Sequence, residues 1–195
     1  MAISNGYCTL NELKARLGIT DNADDTILEN VIEAASRVID SDCNTRFYAG
    51  NETRYYTADA HGVVTVDDLL SVSALATDDA LDGTYSTTWA TTDYQLYPFN
   101  STPYREIRVK PAGTKLFPIS AYRGLIKVTG SFGYSSTTPD AINEACLILS
   151  ARYFKRKDAI FGILGTPELG TIQIMGELKK DSEYQKALQK VKRYD

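Results

Sequence analysis

Histidine is nearly missing from this 195-residue sequence: His61 is the single one. It stands in Asp59-Ala60-His61-Gly62, a turn-like stretch, and reads as a solvated turn residue. Cysteine is also scarce. Cys8, Cys43 and Cys146 share no CxxC spacing, so with one histidine there is no zinc constellation. Their odd number, with Cys146 on an apolar helical face, reads as reduced core cysteine in a cytosolic protein. No GxGxxG or GKS/T loop is present to cradle a phosphate. Gly130-Ser131-Phe132-Gly133 has the wrong glycine spacing for a nucleophile elbow. Asp67-Asp68 and Asp78-Asp79 are acid pairs, but neighbours in a strand point opposite ways, so neither makes a catalytic dyad; loose calcium binding is their other reading. No catalytic residue, cofactor or metal is expected, and the chain is not expected to be an enzyme. Met1 to Gly6 lacks the basic start and apolar run of a signal peptide. No apolar stretch approaches the ~20 residues that span a bilayer. The expectation is a soluble protein made inside a cell, with no membrane partner.

The apolar fraction is 43%, enough for a packed core without staples. Net charge is −4, which argues against a dedicated nucleic-acid binder. The charges are unevenly spread. Residues 1–44 carry 3 basic and 8 acidic side chains, and residues 146–195 carry 10 basic and 6 acidic. Such a split suits head-to-tail contact with copies or neighbours, or equally a set of solvated helix faces.

The stretch Pro139 to Lys157 predicts a central helix, with Thr138 as N-cap and Pro139 at the first helical position. Asp140 and Glu144 lie near its positive end and Lys155, Arg156 and Lys157 at its negative end. Ile142, Ala145, Cys146, Leu149 and Tyr153 line one face, widened by Ile148 and Ala151. Earlier, Thr9-Leu10-Asn11-Glu12 fits a capping box, and Gly18 closes the short helix that follows. Asp21 to Asp25 opens a longer helix to about Asp42, striped with Ile27, Leu28, Val31, Ile32, Ala35, Val38 and Ile39. This helix is the expected partner of the 139–157 helix. A terminal helix is expected from Asp181 to Tyr194. Tyr184, Leu188 and Val191 form its packed side, and Lys186, Lys190 and Arg193 its basic side.

From Arg46 to Tyr134 the pattern alternates. Strands are expected at Thr53–Thr57, Val63–Val66, Val72–Thr77, Tyr94–Tyr97, Glu106–Lys110 and Leu125–Phe132. Asp67 to Val72 reads as a turn entering a strand, and Pro98–Pro103 and Pro111–Pro118 as loops. Thr171 to Met175 is a further short strand. The run Phe161-Gly162-Ile163-Leu164-Gly165 either tucks over the core or meets another chain. The fold class expected is α+β. A small α-helical bundle core (residues 1–46 and 135–195) carries an inserted antiparallel β unit (47–134) between its second and third main helices. The 13 tyrosines concentrate in the β unit, as sheet packing or as a contact surface.

In order along the chain, several pieces together resemble the head–tail connector (adaptor, head-completion) proteins of tailed bacteriophages. They are Tyr7-Cys8-Thr9-Leu10 with Leu13-Lys14, Ala34-Ala35-Ser36-Arg37-Val38-Ile39-Asp40, Cys43, Arg46-Phe47-Tyr48 and Thr53-Arg54-Tyr55-Tyr56. Asp67-Asp68-Leu69-Leu70-Ser71-Val72, Val128-Thr129-Gly130, Phe132-Gly133-Tyr134 and Pro139-Asp140-Ala141-Ile142 follow. Ala151-Arg152, Lys155-Arg156 and Phe161-Gly162 complete the series, and residues 78–120 match least. The resemblance implies a structural virion protein made in the host cytoplasm and placed in the neck. It would form a ring, usually of twelve copies, below the portal protein. Double-stranded DNA would pass through its channel without sequence-specific binding, and a tail terminator or stopper protein would dock on it. Contacts with portal and neighbouring subunits are expected from Arg152, Lys155, Arg156, Lys157, Phe161, Ile163, Leu164, Lys186, Lys190 and Arg193. The rival expectation is a β-rich module that binds a ligand or protein through a Tyr-rich face, with Tyr55 and Tyr94 as its probes.

Overall fold

Thr9 and Glu12 set the first element. The Thr9 hydroxyl accepts the Glu12 N–H at 3.2 Å, and the Glu12 carboxylate accepts the Thr9 N–H at 2.7 Å. This reciprocal cap starts helix α1, Leu10–Leu17, and Gly18 ends it at φ +71°, a left-handed backbone that costs glycine little. Helix α2, Asp25–Cys43, buries Leu28, Ile32, Ala35, Ser36, Ile39 and Cys43 on one stripe. Ile27, expected in that stripe, is 40% exposed. Helix α3, Asp140–Lys155, follows Pro139, which is the extended residue just before the helix and not its first helical one. Thr138 therefore lies one position outside the cap. Ile142 and every residue from Ala145 to Ser150 are buried in α3. A helix covered over so much of its circumference needs neighbours on several sides, and α1, α2 and α4 (Ser182–Gln189) all pack against it. Tyr184 and Leu188, one turn apart, are the buried side chains of α4.

The structure is a computed structural model describing residues 3–111, 113, 115–121, 123–156, 163–166, 170–173, 182–189 and 191. Two compact units result, Met1–Thr45 with Thr138–Asp195, and Arg46–Thr137. The first holds the helices and a hairpin of β7 (Ile163–Thr166) and β8 (Gly170–Gln173). Met175, expected to end the second of these strands, lies outside the described residues. The segment before α1 is strapped down by Tyr7. Its N–H donates to Ser36 Oγ at 3.0 Å, its hydroxyl donates to Asp40, and its carbonyl accepts Asn143 Nδ2 at 3.1 Å.

The second unit is a six-stranded antiparallel sheet: β1 (Gly50–Tyr56), β2 (Val63–Thr77), β3 (Thr87–Trp89), β4 (Tyr94–Tyr97), β5 (Tyr104–Val109) and β6 (Ile126–Phe132). The strand order is β1-β6-β2-β5-β4, with β3 also on β2, so β1 and β4 are the outer strands. Strand β2 is a single element of 15 residues. The turn expected at Asp67–Val72 is instead a pair of register shifts, at Leu69/Ser71 and Val72/Ala74, where β2 bends against β6. Gly130 of β6 sits at this bend, and a Cβ there would stand 2.1 Å from the Ser71 carbonyl oxygen. Gly133 is required for the same reason at φ +144°, with the Tyr48 carbonyl oxygen 2.2 Å from a Cβ.

The expected fold class needs correction. The helical bundle was to be the core, with the strands an inserted unit held between its main helices. The structure shows a six-stranded antiparallel sheet with a core of its own, flanked in the chain by four helices among the described residues. Val64, Val66, Leu69, Leu75, Ile107, Ile126, Val128 and Phe132 fill that core, closed by Trp89 stacked on Phe117 at 4.3 Å. Twelve buried residues at ~1.5–3 kcal/mol for each large apolar side chain make the sheet a stable body and not an appendage. Apart from β2, with four, and β6, with three, no strand contributes more than one of them, which is why the longer helical stripes dominated the sequence.

Candidate interaction surfaces

Asp67, Asp68 and Asp78 of the acidic pairs are held by neighbouring groups. Asp67 accepts Arg54 Nη1 at 2.7 Å and the Tyr56 hydroxyl at 2.9 Å. Burial first, then the Asp67 carboxylate, pushes the Tyr56 phenol up to about 12. Asp68 is buried and meets Arg105 Nε at 3.3 Å. Asp78 is buried and accepts the Asp82 and Gly83 N–H groups at 3.2 and 2.8 Å, which closes a turn. His61 is exposed, and its N–H is held by Asp59 at 2.9 Å. No group of three His, Cys, Asp or Glu among the described residues could hold a metal ion. No helix among them is long and apolar enough to cross a membrane.

Of the expected contact residues, Arg152, Lys155 and Arg156 gather at the C-terminal end of α3, where positive charge opposes the helix dipole. Lys155 is exposed; Arg152 and Arg156 are half-buried, and the Arg156 guanidinium lies 5.9 Å from the Tyr153 ring centre. Lys186 is exposed on α4, between the two side chains that anchor this helix. Ile163 and Leu164 are placed on β7. Lys157, Phe161, Lys190 and Arg193 lie outside the described residues. The acidic N-terminal part of the chain spends much of its charge internally. Asp25 pairs with Lys14 at 2.7 Å, Asp40 with Arg37 at 3.2 Å, and Asp42 accepts the Tyr184 hydroxyl at 2.8 Å. Arg16 pairs with Glu144 of α3 at 2.7 Å.

Tyr55 and Tyr94 do not share a face. They belong to β1 and β4, at opposite ends of the sheet, and Tyr94 is only 6% exposed against 55% for Tyr55. More exposed apolar surface of the sheet unit lies at Tyr97, Phe99, Leu116 and Ile119. Phe99 stands edge-on to Tyr97 at 5.5 Å, and the Arg108 guanidinium covers Tyr97 at 4.5 Å. Arg108 also borders a cleft of about 370 Å³ flanked by Gln95, Leu116, Phe117 and Ile119. Phe99, Leu116 and Ile119 are 61%, 80% and 60% exposed. Their signal in the sequence was large apolar side chains inside or beside proline-bounded loops, where no core can claim them.

The model of the family described as phage gp6-like head-tail connector protein matches residues 7–73. These residues run from the strap at Tyr7 through α1, α2 and β1 into β2. No curated protein sequence matches the chain. Among solved structures, the fold is similar to a chain of the neck of a native gene transfer agent (GTA) particle computed with C12 symmetry. The TM-score is 0.57 at 18% identity, over 91% of this chain and 96% of that one. It is also similar to a chain of the neck of the empty GTA particle computed with C6 symmetry, with a TM-score of 0.55, 17% identity and the same coverage. A chain of the native GTA virion gives 0.56 at 20% identity, again over 91% and 96%. At these identities the likeness is one of fold. Residues 7–73 thus match the model of the family that the ordered sequence pieces resemble, that of phage head–tail connector proteins.

Proposed function

We propose that this protein is a structural component of a virion neck, a head–tail adaptor that acts by assembly and performs no catalysis. The observation that carries the reading is the connector-family match over residues 7–73. The similarity of fold to neck chains, across nine-tenths of this chain, supports it. In this reading copies form a ring, of twelve by analogy with the C12 neck, below a portal protein. The ring encloses a channel for double-stranded DNA and offers its far side to a tail terminator or stopper protein. A net charge of −4 suits a channel through which DNA slides, because fixed phosphate contacts would hold it back. The basic end of α3, with Lys186 on α4, supplies contacts to portal and neighbouring subunits, together with Lys157, Phe161, Ile163, Leu164, Lys190 and Arg193. The exposed patch around Phe99, Leu116 and Ile119 is a second docking surface, for the protein that follows in the neck.

Native mass measurement of the protein mixed with its cognate portal tests the reading. The expected species is a portal-bound ring of many copies. A portal that binds no copies, or binds them without cyclic symmetry, overturns it.

A further inference from the structure

Cys8 and Cys146 are 138 residues apart in the chain, and their sulfurs meet at 3.3 Å. Cys8 directly precedes the Thr9 cap of α1, and Cys146 lies on the buried face of α3. Both are buried, yet the cover is uneven. A cleft of about 380 Å³, flanked by Gly6, Tyr7, Thr9, Thr138 and Asn143, reaches Cys8. On its other side the Cys146 sulfur is flanked by the hydroxyls of Ser36 at 3.5 Å and Ser150 at 3.8 Å. Cys43, the third cysteine, sits at the far end of α2 and is not in this contact.

We infer that Cys8 and Cys146 form a redox-modifiable site, oxidised by a small peroxide to an intramolecular disulfide that clamps the N-terminal segment to α3. The cleft gives a peroxide access to the pair at Cys8. One of the two thiols loses its proton as its sulfur attacks a peroxide oxygen; the O–O bond breaks, and the departing hydroxide takes that proton and leaves as water. The attacking cysteine is then a sulfenic acid. The sulfur of the other cysteine, in contact with it, displaces its oxygen; the S–O bond breaks, the S–S bond forms, and the second thiol's proton leaves with the second water. Two thiols and one hydrogen peroxide give one disulfide and two waters. The sulfurs must close from 3.3 Å to about 2.05 Å. The bond would enclose the chain from residue 8 to residue 146, a long loop, so its effect on stability is large. The inference stands whether or not the neck reading holds, since it concerns one folded chain.

The test is treatment of the full-length protein with hydrogen peroxide, followed by thiol titration in denaturant, peptide mass mapping and a thermal melt. Two of the three thiols are expected to disappear, with a linked Cys8–Cys146 peptide and Cys43 still free. Tm is expected to rise by about 10 °C and return on reduction with dithiothreitol. Cys43→Ser should behave as the natural protein does. Cys8→Ser should gain no stability on the same treatment. A disulfide between chains or involving Cys43 would overturn the inference, and so would a sulfinic acid at Cys8 or Cys146 without linkage. Three intact thiols under conditions that oxidise the denatured chain would overturn it as well. The mass map of the unsubstituted protein decides the matter even if a variant fails to fold.

Discussion

The Tyr184 hydroxyl of α4 donates to the Asp42 carboxylate at the end of α2, 2.8 Å away and 142 residues earlier in the chain. An eight-residue helix is marginal alone, so α4 depends on this bond and on the burial of Tyr184 and Leu188. Tyr184→Phe should cost about 1–2 kcal/mol, read as a shift in the urea midpoint. Burial first, and then Asp42, push the Tyr184 phenol well above its ordinary value. An unfolded tyrosine ionises near pH 10, so the stability this group contributes is complete below about pH 10 and is lost as pH rises beyond it. Urea midpoints measured upward from about pH 8 should fall less steeply in Tyr184→Phe than in the natural protein.

The capping box at α1 should show the opposite pH dependence. The Thr9 N–H first, and its hydroxyl second, hold the Glu12 carboxyl below the usual range. Its contribution is present above about pH 4.3 and is lost as pH falls through the lowered value. Thr9→Ala should cost about 1 kcal/mol near neutral pH and reduce this acid-side loss, measured by chemical denaturation along a pH series.

Two glycines should separate strain from collision. Gly18 has φ +71° and open space around it, so Gly18→Ala should cost about 1 kcal/mol. Gly130 faces the Ser71 carbonyl, a backbone atom that cannot rotate away. Gly130→Ala should cost about 3 kcal/mol or leave the sheet unit unfolded, visible as loss of the near-ultraviolet signal of Trp89.

The basic surface should govern assembly without governing folding. Lys155 and Lys186 are both exposed, so the double charge reversal Lys155→Glu with Lys186→Glu should change stability by under about 0.5 kcal/mol per site. Ring formation with the portal should fall, as sedimentation velocity would show, and the natural protein should weaken in the same direction as salt is raised. Unchanged assembly would remove these lysines from the contact.

Local chemistry was legible wherever a few neighbouring residues decide the outcome. Thr9 with Glu12, Gly18 after α1, the α2 stripe apart from Ile27, Val31 and Val38, and the Tyr94–Tyr97 strand are present as their sequence patterns indicate. Asp67-Asp68 misled because acids side by side resemble a turn. Arg54 and Arg105, from other strands, pair with them within β2. Thr87–Trp89 was missed because three residues carry no periodicity, and their place is set by pairing with Leu75 to Thr77. The weight given to the helices over the sheet came from the same limit. A 19-residue stripe speaks for itself, whereas Val64, Ile107 and Val128 become one core only once the strands are paired. Exposed apolar surface was the least legible, since Leu116 and Ile119 look like misplaced core residues until the folded unit leaves them outside.

The outer strands of the sheet bear on how copies behave when crowded. An open rim of backbone N–H and carbonyl groups invites another chain to add a strand, the first step toward fibrils. On β1 the charges of Glu52 and Arg54 would have to be buried by any newcomer, and β4 offers four residues before Pro98 stops the ladder. Both features disfavour the addition of a strand at these two rims.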